Sequence, residues 1–240
     1  MWECPDFFEL DGEDCLIMSP MRYEREGDSF HNINSSVLMT GQVDWHKKQF
    51  IPEAVQEIDH GQDFYAPQTL SDNQGNRLMI AWMQMWGRTL PTDDLKHRWS
   101  GSFIIPRQLK LDNGCLRQLL PFEVRDAFTP AVLETALSSP SILSVDINGD
   151  RQFRLGSQED NIIFGYNSIS KEVFIDRRNL KQKIVGEEVE DTNHRYLTIY
   201  AHHLEILLDK SHLEIFVNDG EGVLSATFYL TVPPVLQEIS

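Results

Sequence analysis

Leu213-Glu214-Ile215-Phe216-Val217-Asn218-Asp219-Gly220-Glu221 is the stretch that decides the fold class. Apolar residues alternate up to Val217, an Asn-Asp-Gly triplet follows, and a second apolar run occupies 223–230. Two alternating runs joined by such a triplet predict an antiparallel hairpin, because Asn, Asp and Gly tolerate the positive φ that tight hairpin turns require. Asn148-Gly149-Asp150 follows the alternating run Ile142-Leu143-Ser144-Val145-Asp146-Ile147 and is read the same way. Leu204-Glu205-Ile206-Leu207-Leu208 adds another strand. The second half of the chain is therefore predicted to be an antiparallel sandwich, bounded at 125–240.

The first half has a different texture but the same class. Short apolar and aromatic runs at Val37-Leu38-Met39-Thr40, Gln49-Phe50-Ile51, Phe64-Tyr65, 77–82 and 101–105 are strand candidates, and Asp11-Gly12 and Asp72-Asn73-Gln74-Gly75 are turn signals between them. Tryptophan stops after Pro121, which marks a second domain beginning near 110–125. The boundaries predicted are a first domain at 1–112 and a linker at 113–124. The segment 129–137 is predicted to be a short helical or irregular connector, and no repeat at fixed period is apparent.

Composition limits the function classes. The formal net charge is −16, which disfavours nucleic acid and anionic membrane surfaces and suits a neutral substrate. Cys4, Cys15 and Cys115 form neither a zinc-type pairing nor a disulfide framework. They are read as free thiols of a cytoplasmic protein. The histidines show no spacing suited to a shared metal site, so neither metal nor cofactor is expected.

Three segments could carry chemistry. Glu3-Cys4-Pro5-Asp6 puts a carboxylate at a strand or turn junction where Pro5 restricts the backbone; a solvated turn residue is the plain alternative. In Asp59-His60-Gly61-Gln62-Asp63-Phe64-Tyr65-Ala66-Pro67-Gln68, an extended chain would project Asp63 and Tyr65 from one face and Phe64 from the other. That could set an acid and an aromatic wall against a sugar, or equally bury a tyrosine satisfied by a nearby aspartate. Trp82, Trp86 and Trp99 lie among Met79, Met83 and Met85, a pattern that fits a sugar platform and, more often, plain core.

Taken in order, these segments resemble glycoside hydrolase family 32, the invertases, sucrose-6-phosphate hydrolases and fructanases. Trp2-Glu3-Cys4-Pro5-Asp6-Phe7-Phe8 resembles its Glu-Cys-Pro motif, 59–68 its Asp-x-Gly-x-Asp-Phe-Tyr-Ala-Pro-Gln stretch, and 77–86 its Arg-x-x-x-x-Trp strand. Trp99-Ser100-Gly101-Ser102-Phe103-Ile104-Ile105-Pro106-Arg107-Gln108-Leu109 is similar to the segment closing the family's catalytic domain. The resemblance implies an all-β fold: the last blades of a five-bladed β-propeller followed by a C-terminal β-sandwich. It also implies a retaining mechanism in which Glu3 is the acid/base. By the same resemblance Cys4 would sit in the site, Asp59 near the glucosyl side, and Asp63, Tyr65, Trp82 and Trp86 would shape its walls.

The family's nucleophile and transition-state stabiliser lie in Asn-Asp-Pro and Arg-Asp-Pro motifs upstream of Glu-Cys-Pro, and neither occurs here. The expectation is a C-terminal half, inactive alone, that self-associates or pairs with the N-terminal half. Its substrate would be sucrose, sucrose 6-phosphate or a fructan, with Arg88 and Arg98 as candidate phosphate partners. A non-catalytic carbohydrate-binding or structural module is the alternative.

Overall fold

The computed structural model describes residues 1–27, 29–137, 140–186 and 192–239. The first half is two four-stranded antiparallel meanders. One holds β1 (Trp2–Leu10), β2 (Glu13–Pro20), β3 (Val37–Asp44) and β4 (Gln49–Glu57). The other holds β5 (Tyr65–Ser71), β6 (Arg77–Trp82), β7 (Arg107–Asp112) and β8 (Cys115–Leu119). Turn chemistry closes the hairpins: Asp11 and Gly12, a predicted turn, have φ of 51° and 88°, while Asn113 and Gly114, in the predicted linker 113–124, have 52° and 78° and join β7 to β8. Of the predicted strands, 101–105 does not form, since only Phe103 bridges to Trp82.

The two sheets pack face to face. Phe8, Leu10, Cys15, Ile17 and Leu38 of the first meet Phe64, Met79, Ala81, Met83 and Leu109 of the second in one buried cluster. These side chains alternate along their strands, so one face of each sheet is committed to this seam. The opposite face of the first sheet carries a smaller cluster around Phe30, Val37 and Met39.

α1 (Phe122–Arg125) links this unit to the second half, a single turn lying earlier than the predicted connector. Within 129–137 there is only the short β9 (Thr129–Pro130) before irregular chain.

The second half is a sandwich. Its inner sheet contains β9 with β10 (Ser141–Asp146), β15 (His203–Asp209), β16 (His212–Val217) and β17 (Gly222–Thr227), in the order β17-β16-β15-β10-β9. Its outer sheet contains β11 (Arg151–Gly156), β12 (Asn161–Asn167), β13 (Glu172–Asp176), β14 (His194–Thr198) and β18 (Leu236–Glu238), in the order β14-β13-β12-β11-β18. Phe153, Phe164, Ile206, Ile215 and Leu224 fill the core between them.

The two predicted hairpins part company. Asn218, Asp219 and Gly220 take φ of 49°, 56° and 81° and join the paired strands β16 and β17. The strands flanking Asn148-Gly149-Asp150 belong to different sheets, and none of those three residues has positive φ. That triplet carries the chain across the sandwich, a choice set by tertiary packing that local turn chemistry does not encode. β15 is buried along nearly its whole length, because the inner sheet is covered on one face by the sandwich core and on the other by the first half, where Leu120, Leu207, Phe216 and Val223 cluster.

Candidate active site

Glu3 and Tyr65 stand on neighbouring edge strands, and the Tyr65 hydroxyl donates to Glu3 Oε2 at 2.9 Å. Both positions owe their aim to the same backbone device. The β1/β2 register shifts between Glu3 and Asp6, where Cys4 has φ 49° and precedes Pro5. The β5/β6 register shifts between Tyr65 and Gln68, where Ala66 has φ 52° and precedes Pro67. A bulge with one residue in the left-handed region turns the preceding side chain out of the regular pleat. Non-glycine residues rarely hold that conformation, and it occurs here twice at corresponding points of adjacent sheets. The bulges are tied together, with Gln68 Nε2 donating to the Cys4 carbonyl at 3.1 Å and Asp6 Oδ2 accepting from Thr69 N at 2.6 Å and Thr69 Oγ1 at 2.7 Å.

Glu3 and Cys4 are half-buried, while Tyr65 is buried. Burial, reinforced by the hydrogen bond to Glu3, pushes the Tyr65 phenol far above its ordinary range, so it stays a donor at working pH. Cys4 contributes its carbonyl to the junction.

Trp82 pairs with Tyr65 across β5 and β6, and Trp86 meets it edge-on with ring centroids 5.0 Å apart. Gly101, at φ 75°, lets the Trp82 indole close on the backbone: a Cβ there would sit 3.2 Å from Nε1. The methionine and tryptophan stretch thus divides by face. Met79, Met83 and Met85 are core, whereas Trp86 is 53% exposed. Trp99 stacks instead on His97, which in turn meets Tyr229 of the sandwich side.

The expected ligand role of Asp59 and Asp63 needs correction. Strand β5 begins only at Tyr65, so Asp63 and Tyr65 do not share a strand face; Asp63 points into the sandwich and Tyr65 toward Glu3. Asp63 is fully buried, its Oδ2 paired with Arg177 and accepting from Thr227 N and Oγ1 at 2.8 Å each. Its Oδ1 takes Arg88 at 3.1 Å. Burial pushes this carboxyl up, but the two guanidiniums and Thr227 outweigh it and hold it below its ordinary value. Asp59 Oδ2 accepts from Arg107 Nη1 at 3.0 Å and Ser225 Oγ at 2.7 Å, and its Oδ1 from Ser225 N at 3.0 Å. These acids face protein donors on all sides and leave nothing for a sugar. Arg88 is likewise spent, on Asp63, Asn32 and the Gln62 carbonyl.

What the segment 59–63 does instead is cover an open sheet edge. β17 ends the inner sheet, and His60 N donates to the Val223 carbonyl at 2.9 Å and Asp63 N to that of Ser225 at 3.0 Å. The two carboxylates accept the amides of Ser225 and Thr227 between those points, finishing the ladder with side chains. Gly61 is required for the approach, since a Cβ would lie 2.1 Å from Ser225 N. Sequence reading missed the partners Arg107, Arg177, Glu214 and Asn32. The available signal was a charged residue inside an otherwise apolar strand, as at Glu214, and the matched spacing of Glu3-Cys4-Pro5 and Tyr65-Ala66-Pro67, 62 residues apart.

The family model described as glycosyl hydrolases family 32 N-terminal domain matches residues 1–120, and that described as glycosyl hydrolases family 32 C terminal matches 132–239. Sucrose-6-phosphate hydrolases of Staphylococcus xylosus and of Bacillus subtilis (strain 168) are each 32% identical over 95% of this chain and 49% of their own length. A raffinose invertase of Escherichia coli is 30% identical over 95% of this chain and 50% of its own. The chain thus spans about half the length of the curated relatives it matches. Among solved structures, sucrose-6-phosphate hydrolase from Lactobacillus gasseri superposes with a TM-score of 0.83 at 21% identity, over 100% of this chain and 52% of that one. A Bombyx mori GH32 beta-fructofuranosidase superposes with a TM-score of 0.75 at 24% identity, over 99% of this chain and 51% of that one. The architecture is therefore that of propeller blades followed by a sandwich.

Proposed function

Because this chain belongs to glycosyl hydrolases family 32, we propose that it supplies the acid/base half of a retaining β-fructofuranosidase acting on sucrose or sucrose 6-phosphate. The carrying observation is the Glu3 carboxylate, turned out by a bulge, half-buried and gripped by a buried phenol. In this role Glu3 gives its proton to the leaving glycosidic oxygen and then takes one from the water that attacks the fructosyl intermediate. Tyr65 fixes the carboxylate's orientation, and Trp82 and Trp86 offer aromatic faces to the sugar.

A retaining displacement needs a second carboxylate as nucleophile. Around Glu3, Asp6 is held by Thr69, and Asp59 and Asp63 are locked into the sandwich edge. The nucleophile therefore comes from outside these 240 residues, and they do not hydrolyse sucrose by themselves. The far face of the first sheet supports the same reading. Phe7, Val43, Trp45 and Phe50 line an apolar groove, with Trp45 76% exposed, and such a face suits either a preceding blade or a second copy.

The test is a chimera that joins the N-terminal half of the S. xylosus relative to this chain. It should release glucose or glucose 6-phosphate, and Glu3→Gln should cut that rate by about 10²- to 10⁴-fold. Hydrolysis by the 240-residue chain alone, or a folded, active chimera indifferent to Glu3→Gln, would refute the assignment.

A further inference from the structure

We infer that the sandwich belongs to the catalytic apparatus, its edge strand β17 and Arg177 acting through Asp63 to position Tyr65, and through Tyr65 the carboxylate of Glu3. The inference rests on reading Glu3 as the acid/base. Below Tyr65 the ladder against β6 breaks immediately and resumes only at the Gln68–Ile80 pair, so the hold there comes from Gln68 on the Cys4 carbonyl and Thr69 on Asp6, beyond the bulge. Above Tyr65 the hold is dense: two residues back, Asp63 receives Arg177, Arg88, Thr227 N and Thr227 Oγ1, and its own amide is bonded to the Ser225 carbonyl at 3.0 Å. Arg177 also donates to the Thr227 carbonyl at 3.0 Å and to Asn193 Oδ1 at 3.1 Å, which roots it in the sandwich.

Phe64, between the clamp and the phenol, is 3% exposed within the seam of the two sheets. A rotation about 63–65 therefore cannot be absorbed without moving core. The path from sandwich to acid is thus short: Arg177 to Asp63, one buried residue, Tyr65, then 2.9 Å to Glu3. Asp63 and Arg177 touch no substrate in this scheme and are positioning residues.

The experiment follows the Tyr65 phenol by NMR in the 240-residue chain labelled at tyrosine Cζ, its resonance assigned among the six tyrosines with Tyr65→Phe. In the unmodified chain, Glu3→Gln should displace this resonance, because the carboxylate acceptor is lost. In Arg177→Met the resonance should already be displaced, and adding Glu3→Gln should move it less than half as far. Thr227→Val, a milder change at the same carboxylate, should give a smaller displacement in the same direction. Phe153→Leu, which loosens the sandwich core away from the clamp, should leave the Glu3→Gln response whole.

An undiminished response in folded Arg177→Met and Thr227→Val chains overturns the inference, as does an equal reduction in Phe153→Leu. No response in the unmodified chain overturns it too, since the contact to be positioned would be absent. Hydrolysis by the chimera tests the acid/base role separately, so the two ideas fail by different measurements.

Discussion

Replacing Arg107 with Met should show how much of this protein's stability resides in one buried side chain. Arg107 is 0% exposed and donates to Asp59, Gln118, Ser225 and, through Nε and Nη2, to Glu214. Its guanidinium also lies over the rings of Phe64 and Phe216, at 5.2 and 5.4 Å. Two carboxylates thus share one cation, and Met would fill much of the volume while cancelling the charge. Removing one partner from a buried ion pair costs about 3–5 kcal/mol, because the other is left without compensation. With two stranded carboxylates the upper end is expected, about 5 kcal/mol. At a urea slope of about 2–3 kcal/mol per M, the unfolding midpoint should fall by roughly 2 M.

The pH dependence identifies the cause. Burial already pushes Glu214 above its ordinary value against the pull of Arg107, and without the guanidinium it rises further. A carboxyl with a raised folded value binds protons that the unfolded chain does not, so the variant gains stability as pH falls from 7 toward about 4.5. The deficit against the unmodified chain should therefore shrink over that range. Urea unfolding followed by tryptophan fluorescence at several pH values measures it. A deficit that stays constant from pH 7 to 5 would falsify the stranded-charge explanation and leave lost packing as the source.

Other expectations follow from the same contacts. Gly61→Ala should destabilise by about 3 kcal/mol or more, since its Cβ meets backbone on Ser225 that no rotamer change can move; a melting temperature within a degree of the unmodified chain would contradict the edge-covering role. Burial pushes the carboxyls of Asp63 and Asp160 up, but Arg177, Arg88 and Thr227 at the first and Thr231 and Lys181 at the second hold both below the ordinary aspartate value, so the stability they give is present above that ordinary value and is lost as pH falls through their lowered values; acid unfolding by circular dichroism should set in below about pH 4. Thiol titration of the native chain should modify exposed Cys115 first and spare Cys15, whose thiol burial pushes up to about 11. Reaction of Cys15 as fast as Cys115 would mean that the blade seam opens. Trp45→Lys should reduce self-association in sedimentation runs, and unchanged association would place the contact elsewhere.

Much of the fold was legible because local signals and tertiary outcome agree. Asn218-Asp219-Gly220 takes the positive φ its composition invites, and the predicted run 77–82 is strand β6. Legibility fails where the partner lies far along the chain. Asn148-Gly149-Asp150 has hairpin chemistry, yet its flanking strands pair with β15 on one side and with β12 and β18 on the other. At the site, the motifs single out Glu3 and Tyr65, and the fold brings the two side chains within 2.9 Å of each other. Asp59 and Asp63 were in the right segment but the wrong environment, because nothing local announces that Arg107 and Arg177 are waiting 48 and 114 residues away. A carboxylate's sequence neighbours do not distinguish solvent from a buried guanidinium, and that difference separates a ligand from a strut.

The paired bulges bear on how such a site is divided between blades. Glu3-Cys4-Pro5 and Tyr65-Ala66-Pro67 break their strands at the same level, each turning out the residue before the left-handed position. One blade so presents the Glu3 carboxylate and the next presents its hydroxyl partner, and neither sheet alone holds the pair. The geometry of the pair is then a property of the seam, where Phe8, Phe64, Met79 and Met83 set the distance between the sheets. Close-packed cores deform little, so a hydrogen bond spanning the seam inherits that rigidity. The sandwich adds a constraint the seam cannot provide, since packing fixes separation while the Asp63 clamp fixes rotation about the strand. Two rigid supports along different directions are enough to orient one phenol, and the phenol in turn orients the carboxylate. A repeated structural device thus bears unlike side chains at equivalent backbone positions, a carboxylate on one blade and the phenol that donates to it on the next.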